Sequence, residues 1–155
     1  MPRRSRTTPK SRWYEEMHRA HQDFRRSSAA LLQTLRACRS MPGADLRDCL
    51  RVEFDSFARL LRRHFAQEEC AELFQPDCAS TPAGRRWAER TLEAHRAFES
   101  RLDQLGRMLH DGPPADAFEE GLMALIDDLF EHELSEERLV QRLVFEESEG
   151  LDIGL

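Results

Sequence analysis

The chain has 155 residues, of which 40% are hydrophobic and 34% charged, and a net charge of −6. That is the length of one domain, with enough chain to bury a core without disulfide or metal staples. Its longest run without a charged residue, Ser27–Leu35, is nine residues. A membrane helix needs roughly 20 apolar residues, so no membrane partner is expected.

In chain order, residues 1–11 read as a basic arm. Arg3, Arg4, Arg6, Lys10 and Arg12 precede any acid, whereas residues 116–155 carry thirteen acids and two arginines. A solvated, frayed end is the plain reading of the arm, and no nucleic-acid partner is expected because the chain as a whole is acidic. No apolar run follows these arginines, so no secretory leader is expected. Cys38, Cys49, Cys70 and Cys78 match no CxxC pattern. They read as reduced packing thiols in a cytoplasmic protein.

Proline and glycine cluster at Pro42-Gly43, from Pro76 through Pro82 to Gly84, and at Gly112-Pro113-Pro114. These breakers divide the chain into four segments, roughly 12–40, 44–74, 82–110 and 115–147, rich in good helix formers. Ser80-Thr81-Pro82 offers a hydroxyl cap and a first-turn proline, and Pro114 with Asp116 does similar work at the fourth segment. Each segment carries an apolar seam with steps of three and four. The first runs Met17, His21, Phe24, Ser28, Leu31, Leu35. The second runs Leu50, Glu53, Phe57, Leu60, Leu61, His64, Phe65, Glu68. The third runs Ala88, Leu92, His95, Phe98, Leu102, Leu105, Leu109. The fourth runs Phe118, Leu122, Leu125, Leu129, His132, Glu136, Leu139, Leu143. The pattern predicts an all-α, up-down-up-down four-helix bundle over residues 12–147, followed by a tail at 148–155.

Polar residues interrupt every seam. His21, His64, His95 and His132 fall one to a segment, and Glu68 and Glu136 follow a histidine by one turn on the second and fourth. A lone seam histidine is ordinarily a satisfied core residue, but a carboxylate buried without a partner is strongly unfavourable. In antiparallel neighbours, residues equally far from the connecting turn lie at equal depth. With turn centres near residues 42, 80 and 113, the four histidines agree in depth to about one residue, or roughly 1.5 Å of helical rise. They therefore converge on one core layer, with Glu68 and Glu136 beside it. Four imidazoles and two carboxylates suit a transition metal such as iron, and two carboxylates can bridge two ions. A single zinc would leave two carboxylates unexplained. A ferritin-like centre would need two Glu-x-x-His motifs, and only Glu15-x-x-His18 has that form.

The string His64-Phe65-Ala66-Gln67-Glu68-Glu69 with Leu73-Phe74 resembles the HFxxEExxLF signature of the hemerythrin-like (HHE cation-binding) domains. His132-Glu133-Leu134-Ser135-Glu136-Glu137 resembles their second HxxxE element, and His21 and His95 match the single histidines of helices one and three. The resemblance spans residues 12–147. It implies a non-haem centre of two Fe ions bridged by Glu68 and Glu136, with an oxo or hydroxo bridge and terminal histidines. It also implies an open position for a small diatomic ligand, O₂ or NO. The oxygen-carrying members have a second histidine one turn along helix three and an aspartate five residues after the last histidine. This chain has Glu99 and Glu137 there. The departure weighs against reversible O₂ storage and shifts the expectation toward the sensing, iron-binding or redox members; the function expected is that of a carrier or sensor, with a redox enzyme reducing peroxide, NO or O₂ as the alternative.

His18, three residues before His21, is the rival helix-one ligand, and His21 is preferred because it keeps the Met17–Phe24 phase. Tyr14 shares that face as a residue for the site's surroundings or the bundle end. His110 reads as solvated. Phe24, Phe57, Phe65 and Leu129 are expected as the dry wall around the metals. Because the arm lies outside the seams, deletion of residues 1–10 should leave metal content intact. Iron analysis of the truncated chain checks this, and loss of metal would mean that the arm helps build the site.

Overall fold

A computed structural model describes residues 9–41, 43–70 and 82–149, with side chains over 12–41, 43–70 and 82–142. These residues form four helices: α1 (Pro9–Ser40), α2 (Ala44–Glu69), α3 (Pro82–Asp111) and α4 (Asp116–Glu149). No strand occurs among the described residues. α1 and α3 each begin on a proline, whose fixed φ suits a first helical turn. At the start of α4 the Ala115 carbonyl accepts from the amides of Phe118 and Glu119. α2 ends at Glu69, where the Cys70 amide closes on the Ala66 carbonyl. The expected continuation through Leu73-Phe74, the cap at Ser80-Thr81 and Cys78 lie outside the described residues, as do most of the arm and of the 148–155 tail.

α1 packs against α2 and α4, and α3 packs against the same two. Long-range side-chain pairs set the directions. Arg39, at the end of α1, pairs with Asp116 and Glu119 at the start of α4, while Gln141 near the other end of α4 donates to the Tyr14 hydroxyl. Arg62 of α2 meets Asp103 of α3 at 2.6 Å, and Arg101 of α3 meets Asp128 of α4 at 2.6 Å. Neighbours therefore run antiparallel, in up-down-up-down order. Exposed pairs such as these contribute about 0–1 kcal/mol each. The seams inside supply the stability.

The core has two chemical halves. Away from the histidines it is dry: Leu31, Leu35, Leu50, Phe54, Leu102, Leu109, Phe118 and Leu122 are buried, with Phe54 and Phe118 edge-on at 5.9 Å. The seams hold with small phase corrections. On α3 the buried stripe runs through Thr91 rather than Ala88 and Leu92, which are half-buried. On α2 Phe54 and Ala58 are buried, while Glu53 and Leu60 are only half-buried. Steps of three and four both approximate 3.6, so adjacent positions compete for the same seam.

Gly106 lies in the interior of α3, and a Cβ there would meet Phe54 Cε1 at 3.5 Å, an ordinary contact. At Gly121 a Cβ would meet Leu105 Cδ2 at 2.9 Å. Gly106→Ala should therefore stabilise the metal-free chain by about 1 kcal/mol. Gly121→Ala should gain less, because Leu105 must move. Phe54→Ala should cost about 3–5 kcal/mol. Urea denaturation of the three variants checks the order.

Candidate metal centre

His64 and Glu68 lie one turn apart on α2, as do His132 and Glu136 on α4, so each pair shares a face. His21 from α1 and His95 from α3 complete the layer. His21, His64, Glu68, His95 and Glu136 are all at most 5% exposed, and His132 is nearly buried. Two groups of ligand atoms form. His21, His64, Glu68 and Glu136 each offer an atom within 4.8 Å of all the others in the set, and so do His95, His132 and Glu136.

The two carboxylates span both groups. Glu68 Oε1 lies 2.6 Å from His64 Nε2 and 3.9 Å from His21 Nε2, while its Oε2 lies 3.3 Å from His95 Nε2. Glu136 Oε1 lies 3.1 Å from His132 Nε2 and 3.8 Å from His95 Nε2, while its Oε2 lies 3.8 Å from His21 Nε2. Each glutamate thus turns one oxygen to each histidine pair. Despite this closeness, the Nε2 atoms of all four histidines, both Glu68 oxygens and Glu136 Oε2 are buried without a hydrogen bond. Seven orphaned donor atoms converging in one dry layer would be severely destabilising with nothing between them. The donor set fits a cation: imidazole nitrogen and carboxylate oxygen suit a first-row transition metal.

Rings wall the layer. Phe65 stacks on His95 at 4.0 Å, Phe24 sits edge-on to His64 at 4.8 Å, and Phe98 packs on His132 at 5.4 Å. Of the expected wall, Phe24, Phe57, Phe65 and Leu129 are all buried. Phe98 joins them. A cavity of about 550 Å³ between α1 and α2, bordered by Trp13, Met17, Leu60 and Arg63, reaches His64 and Glu68.

The remaining sequence candidates fall outside the cluster. His18 is 42% exposed, and its Nδ1 lies 3.3 Å from Glu137 Oε1. Glu137 Oε1 also accepts from His21 Nδ1 at 2.9 Å, on the side of that ring away from the cluster. Glu99 is half-buried and belongs to neither ligand group. Tyr14 stacks on His18. His110 is exposed beside Asp55. Cys38, Cys49 and Cys70 are free thiols. Burial pushes the Cys38 thiol up and Glu53 does the same for Cys49, so neither is an activated nucleophile.

Sequence reasoning missed Glu133. It is 1% exposed and both its oxygens lack hydrogen bonds, with Arg25 Nε at 3.8 Å. Burial pushes its carboxyl up to about 7, against the pull of His21 and Arg25. The available signal was its spacing of four from Glu137, which puts both on the flank of α4 facing α1.

Without a cation, protons balance the layer. Burial works against a charged His21, but the carboxylates of Glu68, Glu133 and Glu137 raise it to about 8. Burial likewise opposes a charged His95, and Glu136, Glu68 and Glu69 raise it to about 10. Glu68 is held well below the carboxylate range by its histidines, against its burial.

Residues 12–144 match the family model of the hemerythrin HHE cation binding domain. No curated protein and no solved structure matches the chain.

These shifts set a pH profile for the metal-free chain. His21 and His95 are raised above 6.5, so their contribution is complete below that value and lost as pH rises through about 8 and about 10. Glu133, raised from 4.5 to about 7, favours its neutral form in the fold, so its share of the loss comes earlier, between pH 4.5 and about 7. Glu68 and Glu137 are lowered, so their contribution disappears as pH falls below the carboxylate range. The melting temperature of the metal-free chain should peak in mild acid and decline from neutral pH toward pH 10. Circular dichroism melts across that range check this, and a flat alkaline limb would contradict it.

Proposed function

The chain belongs to the hemerythrin HHE cation-binding family, and from that premise we propose that it binds two iron ions and a small diatomic ligand such as O₂ or NO, as a carrier or sensor. The observation that carries this reading is the disposition of the two buried carboxylates. Each gives one oxygen to the His21–His64 pair and the other to the His95–His132 pair. Two cations, each with two imidazoles and an oxygen from each glutamate, would satisfy every orphaned atom of the layer. One cation would leave a histidine pair without a partner.

Bound iron would supply coordination positions and redox capacity for a diatomic ligand. The chain's own residues do the rest. Four imidazoles and two carboxylates leave room for further ligands, because first-row ions in such sites commonly take five or six. Phe24, Phe65 and Phe98 exclude bulk water, which keeps the local dielectric low around the ions. The α1–α2 cavity supplies a route from solvent to His64 and Glu68. The cavity joins apolar Met17, Phe24 and Leu60 to Glu16, Arg19, Asp23 and Arg63.

Anaerobic Fe(II) titration followed by O₂ exposure, monitored optically, tests the reading. Two equivalents of iron and a reversible optical response to O₂ or NO are expected. His64→Ala and Glu68→Ala should each lower bound iron sharply. Full iron content with unchanged melting in both variants would defeat the assignment, and sustained turnover of peroxide or NO would favour an enzyme instead.

A further inference from the structure

The histidine–glutamate motifs of α2 and α4 each end in a second glutamate. His64-Phe65-Ala66-Gln67-Glu68-Glu69 and His132-Glu133-Leu134-Ser135-Glu136-Glu137 share the form HxxxEE. Consecutive residues on a helix point about 100° apart, from 3.6 residues per turn. If the first glutamate faces the bundle axis, the second faces a neighbouring helix. Glu69 Oε1 lies 2.9 Å from Nδ1 of His95 on α3, and Glu137 Oε1 lies 2.9 Å from Nδ1 of His21 on α1. The histidine of each odd-numbered helix is therefore held from behind by the even-numbered helix that also sends a glutamate into the layer.

An ionised carboxylate can only accept a hydrogen bond, so the Nδ1 it faces carries the proton. The opposite nitrogen, Nε2, then presents its lone pair toward the cluster in the neutral ring. A free imidazole has no such preference fixed for it. Holding the tautomer and the ring plane together is what a carboxylate behind a ligand histidine achieves, and its loss typically costs 10–100-fold in metal affinity.

We propose that Glu69 and Glu137 are positioning residues that fix His95 and His21 in the Nε2-presenting form, each serving one of the two cation sites. The inference rests on the two-cation reading of the layer. The two supports are unequal. Glu137 is 13% exposed and also engages His18, whose Nε2 lies 3.1 Å from Gln22 Nε2. Glu69 is 40% exposed. Solvent screens the Glu69 bond and frees its carboxylate to leave, so the His21 side is held more firmly than the His95 side. The pseudo-twofold repeat thus yields two inequivalent sites.

Fe(II) titration of the purified metal-free chain, with Zn(II)-loaded protein followed by ¹⁵N NMR of the imidazoles, tests this. The wild-type chain should take two equivalents. Glu137→Ala should weaken one equivalent about 10–100-fold and leave the other near its wild-type affinity. Glu69→Ala should weaken the other equivalent, and less. Glu137→Gln keeps both the bulk and an acceptor and should recover most of the lost affinity, whereas Glu137→Met keeps the bulk without the acceptor and should not, which separates the hydrogen bond from packing. In the Zn(II) form the Nδ1–H signal of His21 should shift only in the Glu137 variants, and that of His95 only in the Glu69 variants. If Glu137→Ala fails to fold, Glu137→Gln still carries the NMR test. Equal weakening of both equivalents, or none, with normal wild-type uptake overturns the positioning role alone. A wild-type chain that takes up no metal overturns the two-cation reading, and this inference with it.

Discussion

Two carboxylates in the middle of an apolar core need positive charge, and much of this bundle is arranged around that need. Glu68 and Glu136 are each 4% exposed. Their Born penalty in a dry interior would be several kcal/mol apiece even after relaxation. Four histidines surround them, one from each helix, and the described structure holds no other buried base within the layer. In the metal-free chain two of them, His21 and His95, are raised and answer by holding protons. A cation does the same work without protonation, so metal and proton compete for one set of nitrogens. Uptake of an ion would therefore be coupled to the ionisation state of the core.

The rest of the bundle lets this expensive layer exist. One half of the core is closed by large apolar side chains, with Phe54, Phe118, Leu50 and Leu122 buried. That half needs no cofactor to hold together. The antiparallel neighbours then carry the histidines to a common depth because each histidine lies nearly as far from a connecting turn as its partner across that turn. Ring-on-ring contacts, such as Phe65 on His95 at 4.0 Å, limit how far the imidazoles can turn. The result is a set of oriented donors, which would reduce the ordering cost of binding a cation.

The layer also has an internal symmetry with a deliberate flaw. α2 and α4 contribute HxxxEE, and α1 and α3 contribute one histidine each. Exchange of the two halves maps Glu69–His95 onto Glu137–His21, both at 2.9 Å. It does not map the surroundings. The α1–α4 flank adds His18, Glu133 and Arg25, and the cavity opens between α1 and α2. Both departures from symmetry gather around His21 and His64, so the two halves of the centre meet solvent and charge differently.

Much of this was legible in the chain itself, for a physical reason. Helical periodicity converts linear spacing into angle and depth. His21, His64, His95 and His132, with Glu68 and Glu136, declared their common layer because four long antiparallel helices leave little freedom in register. Glycine and proline marked the breaks, and the seams marked the core. Other features were decided only by tertiary packing. Glu137 stands where the oxygen-carrying members have an aspartate, and only the approach of α1 to α4 makes it an acceptor behind His21. Glu133 is polar by composition yet buried, because the flank of α4 that carries it faces another helix. Thr91 displaced Leu92 from the α3 seam because adjacent positions differ by about 100° and the neighbours' shapes choose between them. Periodicity determines which residues point inward; which atom of an inward residue meets which partner depends on helix rotation and side-chain rotamers, and those are set by all four helices at once.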